Sequence, residues 1–382
     1  MMRTRACATL LGVATAAACR DPVAPDTGAG SGATRAVAPG AIAPLDAAAS
    51  APEPAPVARG ARTIVLPEPA IVLPQQESFQ LLAPGRGRRA ILRYRVIPGT
   101  TIVTARTVLA SRQLAHGVFT PPAQLPAIRD GFAIAISGAA DRVTLRALVA
   151  DAAAQNPETA AYLATWRREL EGRQITLAID DRGGFGAIAF SDDPSGARSA
   201  RARDELTDRL LSRIAPLPTE PVGLGARWRV VTILRQGPAV AKQTATYTLV
   251  ARGAAGWKLH LALQRVAEQQ AIIDPTLPPG TTAELIALFR SLEGEIEIDP
   301  RLPLVAGGSL TVESRLHARV SPPAASPQPA ASPLPTLQSD QMFEDTGRVN
   351  FARCRPSHAA ALGDAAPHAA TLPASCSDAA AR

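Results

Sequence analysis

Apolar and polar residues alternate in short runs between about residues 61 and 320, and turn-forming residues separate the runs. The clearest run is residues 257–263 (Trp-Lys-Leu-His-Leu-Ala-Leu), where every second residue is apolar. This period predicts a strand with one buried face and places His260 on the other face. Similar β-forming runs occupy residues 91–97, 101–109 and 132–136. The pattern therefore predicts a mainly antiparallel sheet.

Three stretches instead repeat apolar residues with the helical period of about 3.6 residues. Residues 204–214 place Leu206, Leu210 and Ile214 on one stripe, and residues 158–170 and 281–292 show the same kind of pattern. Because all three are amphipathic, we expect them to cover the sheet. The predicted fold class is α+β, an antiparallel sheet with two or three amphipathic helices packed on it.

The globular region, residues 61–320, contains two halves of similar order, about 61–195 and 205–320. In each half a predicted helix ends in Leu-Glu-Gly, at Gly172 and at Gly294, and a strand, a glycine-containing turn and a second strand follow. An internal duplication explains this order, and so does a chance likeness between two hairpin–helix–hairpin units. The strand faces align only with one-residue slips, which invert a buried face.

The first nineteen residues have the order of a secretory signal: two arginines, an apolar stretch and the small residues Ala16-Ala17-Ala18 before Cys19. This end is similar to the lipobox of bacterial lipoproteins, although Ala16 stands where leucine is usual. The resemblance implies a signal peptide over residues 1–19 and lipidation of Cys19. The alternative is cleavage after Ala18 that leaves Cys19 as a thiol.

Low-complexity sequence lies on both sides of the globular region. Residues 20–60 consist almost entirely of Ala, Pro, Gly, Asp, Thr and Ser, and residues 321–382 begin with a run rich in proline and alanine. Such segments bury too little apolar area to offset the entropy of ordering them. They predict a disordered tether and a disordered tail.

Two cysteines remain once Cys7 is removed with the signal and Cys19 is lipidated. Cys354 and Cys376 lie in the predicted tail. In an oxidising compartment an even pair predicts a disulfide, and two reduced thiols are the alternative.

The net charge of +7 does not identify a nucleic-acid-binding protein. The cations are mostly arginines spread along the chain, and aromatic residues make up only 4% of it, so the basic and aromatic patches of single-strand binders are missing. We expect no nucleic acid partner.

No motif for catalysis, a cofactor or a metal is present in the sequence, so we expect no catalytic, cofactor-binding or metal-binding residue. There is no Gly-x-Ser-x-Gly and no His-Glu-x-x-His. Asp180-Asp181 and Asp192-Asp193 are interpreted as turn residues, and Glu293 and Glu295 as residues on either side of a helix end. The histidines are widely spaced, at His116, His260, His317, His358 and His368.

One segment resembles a known family. Residues 216–230 contain Pro-x-x-Pro-Val-Gly-x-Gly-x-x-Trp, ending at Trp228. This is similar to a stretch in an uncharacterised domain family of bacterial envelope lipoproteins, and the resemblance covers about residues 62–320. It implies a secreted or lipid-anchored β-rich domain and no particular activity. From the residues alone, the segment is a helix-to-strand loop in which Trp228 joins the core.

These observations together predict a non-enzymatic protein of the cell envelope, held by its N-terminal lipid at the outer membrane. We expect it to bind an apolar ligand or an envelope protein. A large apolar cavity between the sheet and helices 158–170 and 281–292 would favour the ligand. A packed interior with an exposed apolar patch would favour a docking protein, and a hydrolase would need polar residues that converge from distant positions.

Overall fold

The computed structural model describes residues 75–115, 118–125, 127–136, 142–150, 174–190, 204, 206–236, 239–272, 280–321 and 339–354. These residues form seventeen β-strands and a short helix, α1, at residues 206–211. The strands are β1 Gln75–Ala83, β2 Arg86–Ala90, β3 Gly99–Ala115, β4 Val118–Phe119, β5 Ala123–Gln124, β6 Ile128–Ile136, β7 Arg142–Ala150, β8 Gln174–Ile179, β9 Phe185–Phe190, β10 Val222–Leu224, β11 Arg227–Gln236, β12 Ala239–Gly253, β13 Gly256–Ala267, β14 Gln270–Ile272, β15 Thr282–Ile298, β16 Val305–Ser321 and β17 Ser339–Cys354.

Fifteen of these strands form one antiparallel sheet, and β2 pairs with β10 in a small second sheet. The large sheet consists of two meanders. The first runs β3-β6-β7-β8-β9, and the second runs β11-β12-β13-β15-β16-β17, with β1 added beside β11. The two meanders join where β17 pairs with β3, from Met342 opposite Leu114 to Cys354 opposite Ile102.

The strand β17 corrects the prediction of a disordered tail over residues 321–382. Residues 339–354 form a long strand between β16 and β3, in the middle of the large sheet. The apolar alternation in this segment is weak because Asp345 and Gly347 occupy two of the positions on its buried face. The rest of the predicted tail lies outside the described residues.

The predicted α+β class is wrong, because the described residues are almost entirely antiparallel β-sheet. The clearest error is the helix predicted at residues 281–292, which lie in β15. A register shift between Leu285 and Ala287 adds one residue, so the buried positions Leu285 and Leu288 are three apart. Arg290 occupies the next position on that face, so the next buried apolar residue, Leu292, is four residues after Leu288. A bulge and one polar residue thus imitate a helical period.

The helix predicted at residues 204–214 is confirmed in its central part by α1. Leu206, Leu210 and Ile214 are all buried, as the stripe predicted. The helix predicted at residues 158–170 lies outside the described residues. The helix–strand order behind the internal repeat is absent from the second half, since the segment ending at Gly294 is strand, and the duplication itself stays a prediction.

The other strand predictions are mostly confirmed. Residues 101–109 lie in β3, residues 132–136 in β6 and residues 257–263 in β13. Residues 91–97 keep the expected alternation, with Leu92 and Tyr94 buried, but they form no strand. Their backbone bonds instead to two turns of the large sheet.

One face of the large sheet, here called the inner face, carries most of the core. Near β3, β6 and β8, this face packs against Leu206 and Leu210 of α1 and against Ile214, which follows the helix. Leu302 and Leu304 belong to the same cluster. Further along the sheet, Leu92, Tyr94, Ala215 and Leu217 pack against β11 to β17. Among the described residues, those that cover this face come from α1 and from three loops, so most of the described cover is irregular chain.

A row of polar side chains crosses this apolar face. Directly paired residues on adjacent strands point to the same side of a sheet, and the pairing here joins seven polar residues on seven neighbouring strands. Apolar clusters lie on both sides of the row. The members of this polar row are Thr232, Gln243, Arg265, Arg290, Ser314, Asp345 and Ser111.

The carboxylate of Asp208 on α1 binds to the middle of the polar row. Arg265 Nη2 lies 2.5 Å from Asp208 Oδ1 and also donates to Gln243 Oε1 at 2.7 Å. Arg290 Nη1 lies 3.6 Å from Asp208 Oδ2. Burial raises the pKa of Asp208, but Arg265 and Arg290 outweigh burial and hold the pKa below its usual value. Asp208 therefore stays ionised and attaches α1 to the sheet.

No helix within the described residues has the length and apolar character needed to cross a membrane.

We predict that Asp208→Asn lowers the free energy of unfolding by about 3 kcal/mol at neutral pH, because the buried guanidinium of Arg265 and the half-buried one of Arg290 lose their shared carboxylate. A lowered folded-state pKa contributes stability above the unfolded value of about 4, and that contribution is lost as pH falls through the folded value. The difference between wild type and variant should therefore shrink in acid. Urea unfolding of the full-length chain at several pH values measures it.

The matched control is Asp340→Asn, which breaks the pair between Asp340 and Arg319 on the surface. An exposed pair of this kind is worth about 0–1 kcal/mol. Equal losses for the two variants would contradict a special role for Asp208.

Candidate functional site

A groove opens where three irregular segments meet at one end of the large sheet. They are residues 91–97, the β8–β9 turn at residues 180–184 and the β15–β16 loop at residues 299–304. Backbone hydrogen bonds join them: Tyr94 N donates to Asp181 O at 2.7 Å, and Arg95 N donates to Pro300 O at 2.6 Å. The walls therefore come from distant parts of the chain that are held together by backbone bonds.

The groove has a volume of about 840 Å³ and is open to solvent along one side. Its surface is mainly apolar, and charged side chains lie around it. Ile97, at the edge of the groove, is 53% exposed. Val96 packs against the core cluster that contains Leu92 and the one that contains Leu206. The lining residues are Tyr94, Arg95, Val96, Ile97, Ile179, Asp180, Asp181 and Arg301.

Tyr94 is the fixed part of the groove. Its hydroxyl donates to Ala215 O at 2.9 Å, in the loop that follows α1, and its ring lies 6.0 Å from that of Trp257. Burial strongly raises the pKa of the Tyr94 hydroxyl, so this group remains a hydrogen-bond donor across the accessible pH range.

The β8–β9 turn gains its shape from Asp180 and Gly183. Asp180 Oδ1 accepts hydrogen bonds from Arg182 N at 2.8 Å and Gly184 N at 2.7 Å, as in an Asx turn. Gly183 has a φ of +79°, and a Cβ there would lie 3.0 Å from both Ala215 O and the Tyr94 ring. The prediction that Asp180 and Asp181 are turn residues is confirmed.

Asp299 organises the third wall. Its carboxylate accepts hydrogen bonds from Arg301 Nε at 3.0 Å and from Arg353 Nη1 at the end of β17. Burial raises the pKa of Asp299, but the hydrogen bonds from Arg301 and Arg353 outweigh burial and lower it. Asp299 is thus an ionised acceptor that joins the β15–β16 loop to β17.

This arrangement is suited to binding. The lining residues offer apolar contact and ionic groups but include no serine, threonine, cysteine, histidine or lysine. Among the described residues, no group of three or more His, Cys, Asp or Glu side chains is placed to hold a metal ion.

The residues singled out from the sequence lie elsewhere. Cys354 ends β17 opposite Ile102, while Cys19 and Cys376 lie outside the described residues, so lipidation and the disulfide stay predictions. His116, His358, His368 and Asp192-Asp193 also fall outside. The prediction that Glu293 and Glu295 stand on either side of a helix end is wrong. Both lie in β15, on the face opposite the inner face, beside His260 and Lys258.

The prediction that Trp228 belongs to the core is confirmed. Its side chain is fully buried, its Nε1 donates to Pro216 O at 2.8 Å, and its ring stacks on Tyr247 at 5.6 Å.

Sequence reasoning missed the groove and the polar row. The row left a signal: Gln243 and Arg265 each interrupt an otherwise apolar alternation on their strands. Each is a single polar residue in a regular apolar alternation, so the sequence did not indicate that the two are paired on adjacent strands. The groove left no comparable signal, since its walls come together only through backbone bonds between loops.

No known protein family matches the chain, and no curated protein shows detectable similarity to it. Any proposal on its function therefore depends on the residues themselves.

We predict that Tyr94→Phe lowers the free energy of unfolding by about 1 kcal/mol, because Ala215 O loses a buried donor. Tyr247→Phe is the matched control: its side chain is equally buried, and no hydrogen bond from its hydroxyl to a described residue is seen. Chemical denaturation of both full-length variants measures the difference. A loss of the same size in Tyr247→Phe would remove the specific role of the Tyr94 hydroxyl.

Proposed function

We propose that this chain is an exported envelope protein, anchored by a lipid on Cys19, whose β-sheet domain binds an apolar ligand in the groove at residues 91–97. The observation that carries the binding proposal is the groove itself. Its volume of about 840 Å³ falls within the range of about 300–1,000 Å³ typical of small-molecule sites. An apolar surface with a few charged groups is also usual for such sites.

The ligand site differs from the one expected from the sequence. A cavity between the sheet and a helix at residues 281–292 is excluded, because those residues lie in β15. The groove, an apolar space among the described residues, lies instead at the end of the sheet. Several exposed apolar side chains elsewhere, such as Val118 and Leu224, are separate from it. The groove is concave and is lined by several residues together, so it is a better candidate for the ligand site than those single exposed residues.

The envelope location is supported by the N-terminal sequence alone. A basic start, an apolar stretch and a cysteine after three alanines form the pattern of a lipoprotein signal. Membrane attachment through this lipid, at the outer membrane, would leave the domain on a tether of about forty residues, free to meet small apolar molecules or envelope proteins. The proposal includes no catalytic step and no cofactor.

Anchoring predicts that the mature protein begins at Cys19 and carries a diacylglyceryl mass in intact-protein mass spectrometry of the envelope fraction. Cys19→Ala should lose this mass and the membrane association. Cys7→Ala is the matched control, since Cys7 lies within the signal. A mature chain that begins at an unmodified Cys19 would refute the anchor and support simple cleavage after Ala18.

Ligand binding is tested with N-phenyl-1-naphthylamine, a neutral apolar dye that fluoresces when it leaves water. Ile97→Asp should weaken dye binding at least about tenfold, because a carboxylate at the groove edge must be desolvated. Val118→Asp introduces the same charge at another exposed apolar residue and should leave binding unchanged. The full-length Cys19→Ala chain suits this assay, since it carries no acyl chain of its own.

Failure of the wild-type domain to bind the dye, or equal binding by Ile97→Asp, would overturn the ligand proposal. Retention of an envelope protein on the domain, lost in Ile97→Asp, would then identify the groove as a docking surface instead.

A further inference from the structure

The groove contains ionic groups of both signs, but only some of them are already paired. Asp181 Oδ2 lies 2.9 Å from Arg93 Nε, and Asp180 Oδ1 accepts two backbone N–H groups of its own turn. Asp299 is shared by Arg301 and Arg353. Every carboxylate in or beside the groove therefore has a donor within the described structure.

Arg95 differs from its neighbours. Its backbone N–H donates to Pro300 O, while its side chain lies exposed in the groove lining. Among the described residues, no carboxylate lies within salt-bridge distance of its guanidinium. The groove thus combines an apolar surface with one guanidinium group that no described carboxylate neutralises.

We infer that the groove selects an anionic single-chain amphiphile, with the apolar chain against Val96, Ile97 and Ile179 and the acidic head group on Arg95. This inference rests on the proposed function and adds the chemical class of the ligand. A guanidinium binds carboxylate or phosphate oxygens through two parallel N–H groups, and such charge-assisted bonds are stronger than bonds between neutral groups.

Arg301 lies beside the same space and supports this choice. Its Nε and Nη2 both bond to Asp299, and its side chain remains 56% exposed. Because Asp299 is shared with Arg353, this group of three keeps one net positive charge, which also favours an anion. Arg95 is the lining arginine without a described carboxylate partner, so we expect it to bind the head group.

The test compares three twelve-carbon probes of different head group by isothermal titration calorimetry at pH 8, each at a concentration where it stays dissolved as a monomer, with the full-length Cys19→Ala chain. Dodecanoate is expected to bind about tenfold more tightly than dodecanol, and dodecylamine more weakly than dodecanol. Added salt should reduce the preference for dodecanoate, because the head-group pair is exposed to solvent.

The variant Arg95→Gln should lose the preference for dodecanoate and keep its affinity for dodecanol. Arg95→Lys keeps the charge and should retain part of the preference. The matched control is Arg348→Gln, an exposed arginine in the middle of β17, which should leave all three affinities unchanged.

The outcomes separate the two proposals. Equal affinity of the wild type for dodecanoate and dodecanol, or an unchanged preference in Arg95→Gln, overturns the head-group inference and leaves the apolar groove intact. Failure to bind either probe, together with failure to bind the neutral dye, overturns the groove itself.

Discussion

The pairing of β17 with β3 is the contact on which the rest of the fold depends. It is the only ladder of the described sheet that joins the β3–β9 meander to the β11–β17 meander. Without it, the two meanders would share no continuous inner face for α1 and the loops to cover. The same strand brings Arg353 to Asp299, so the pairing also attaches the third wall of the groove to the centre of the sheet. A segment late in the sequence thus determines a site whose other residues lie far before it.

The ion pair between Asp208 and Arg265 determines where α1 lies on the sheet more than it adds to the net stability of the fold. Removing two charges from water costs several kcal/mol, about as much as their attraction returns. The pair nevertheless selects one placement of α1, because any shift along the sheet would separate Asp208 from both arginines. The position of α1 then sets the loop that follows it, and Ala215 in that loop accepts the Tyr94 hydroxyl. The ion pairs of Asp208 in the middle of the sheet therefore help to hold Tyr94, which lines the groove at the end of the sheet.

The same polar row explains which elements could be predicted from the sequence. β13 was evident because apolar residues occupy the four inner-face positions before Arg265 and the one after it. β15 and β17 were not, since Arg290 and Asp345 belong to the row and interrupt two strands already disturbed by a bulge and by Gly347. Alternation reports the burial of single residues, whereas the row is stabilised by pairing between strands, which a one-dimensional pattern does not contain. The Asx turn at Asp180 and the burial of Trp228 were predictable because their causes are local.

The groove could not be predicted for a related reason. Residues 91–97 have the alternation of a strand, but their backbone bonds to two turns, which leaves Val96 and Ile97 beside Ile179 at the sheet end. An exposed isoleucine alone means little, because much of any protein surface is apolar. What distinguishes Ile97 is that it borders a concave space with buried neighbours and an arginine that no described carboxylate neutralises. Apolar contact and charge thus lie side by side in the groove, which is the basis for proposing a ligand with both features.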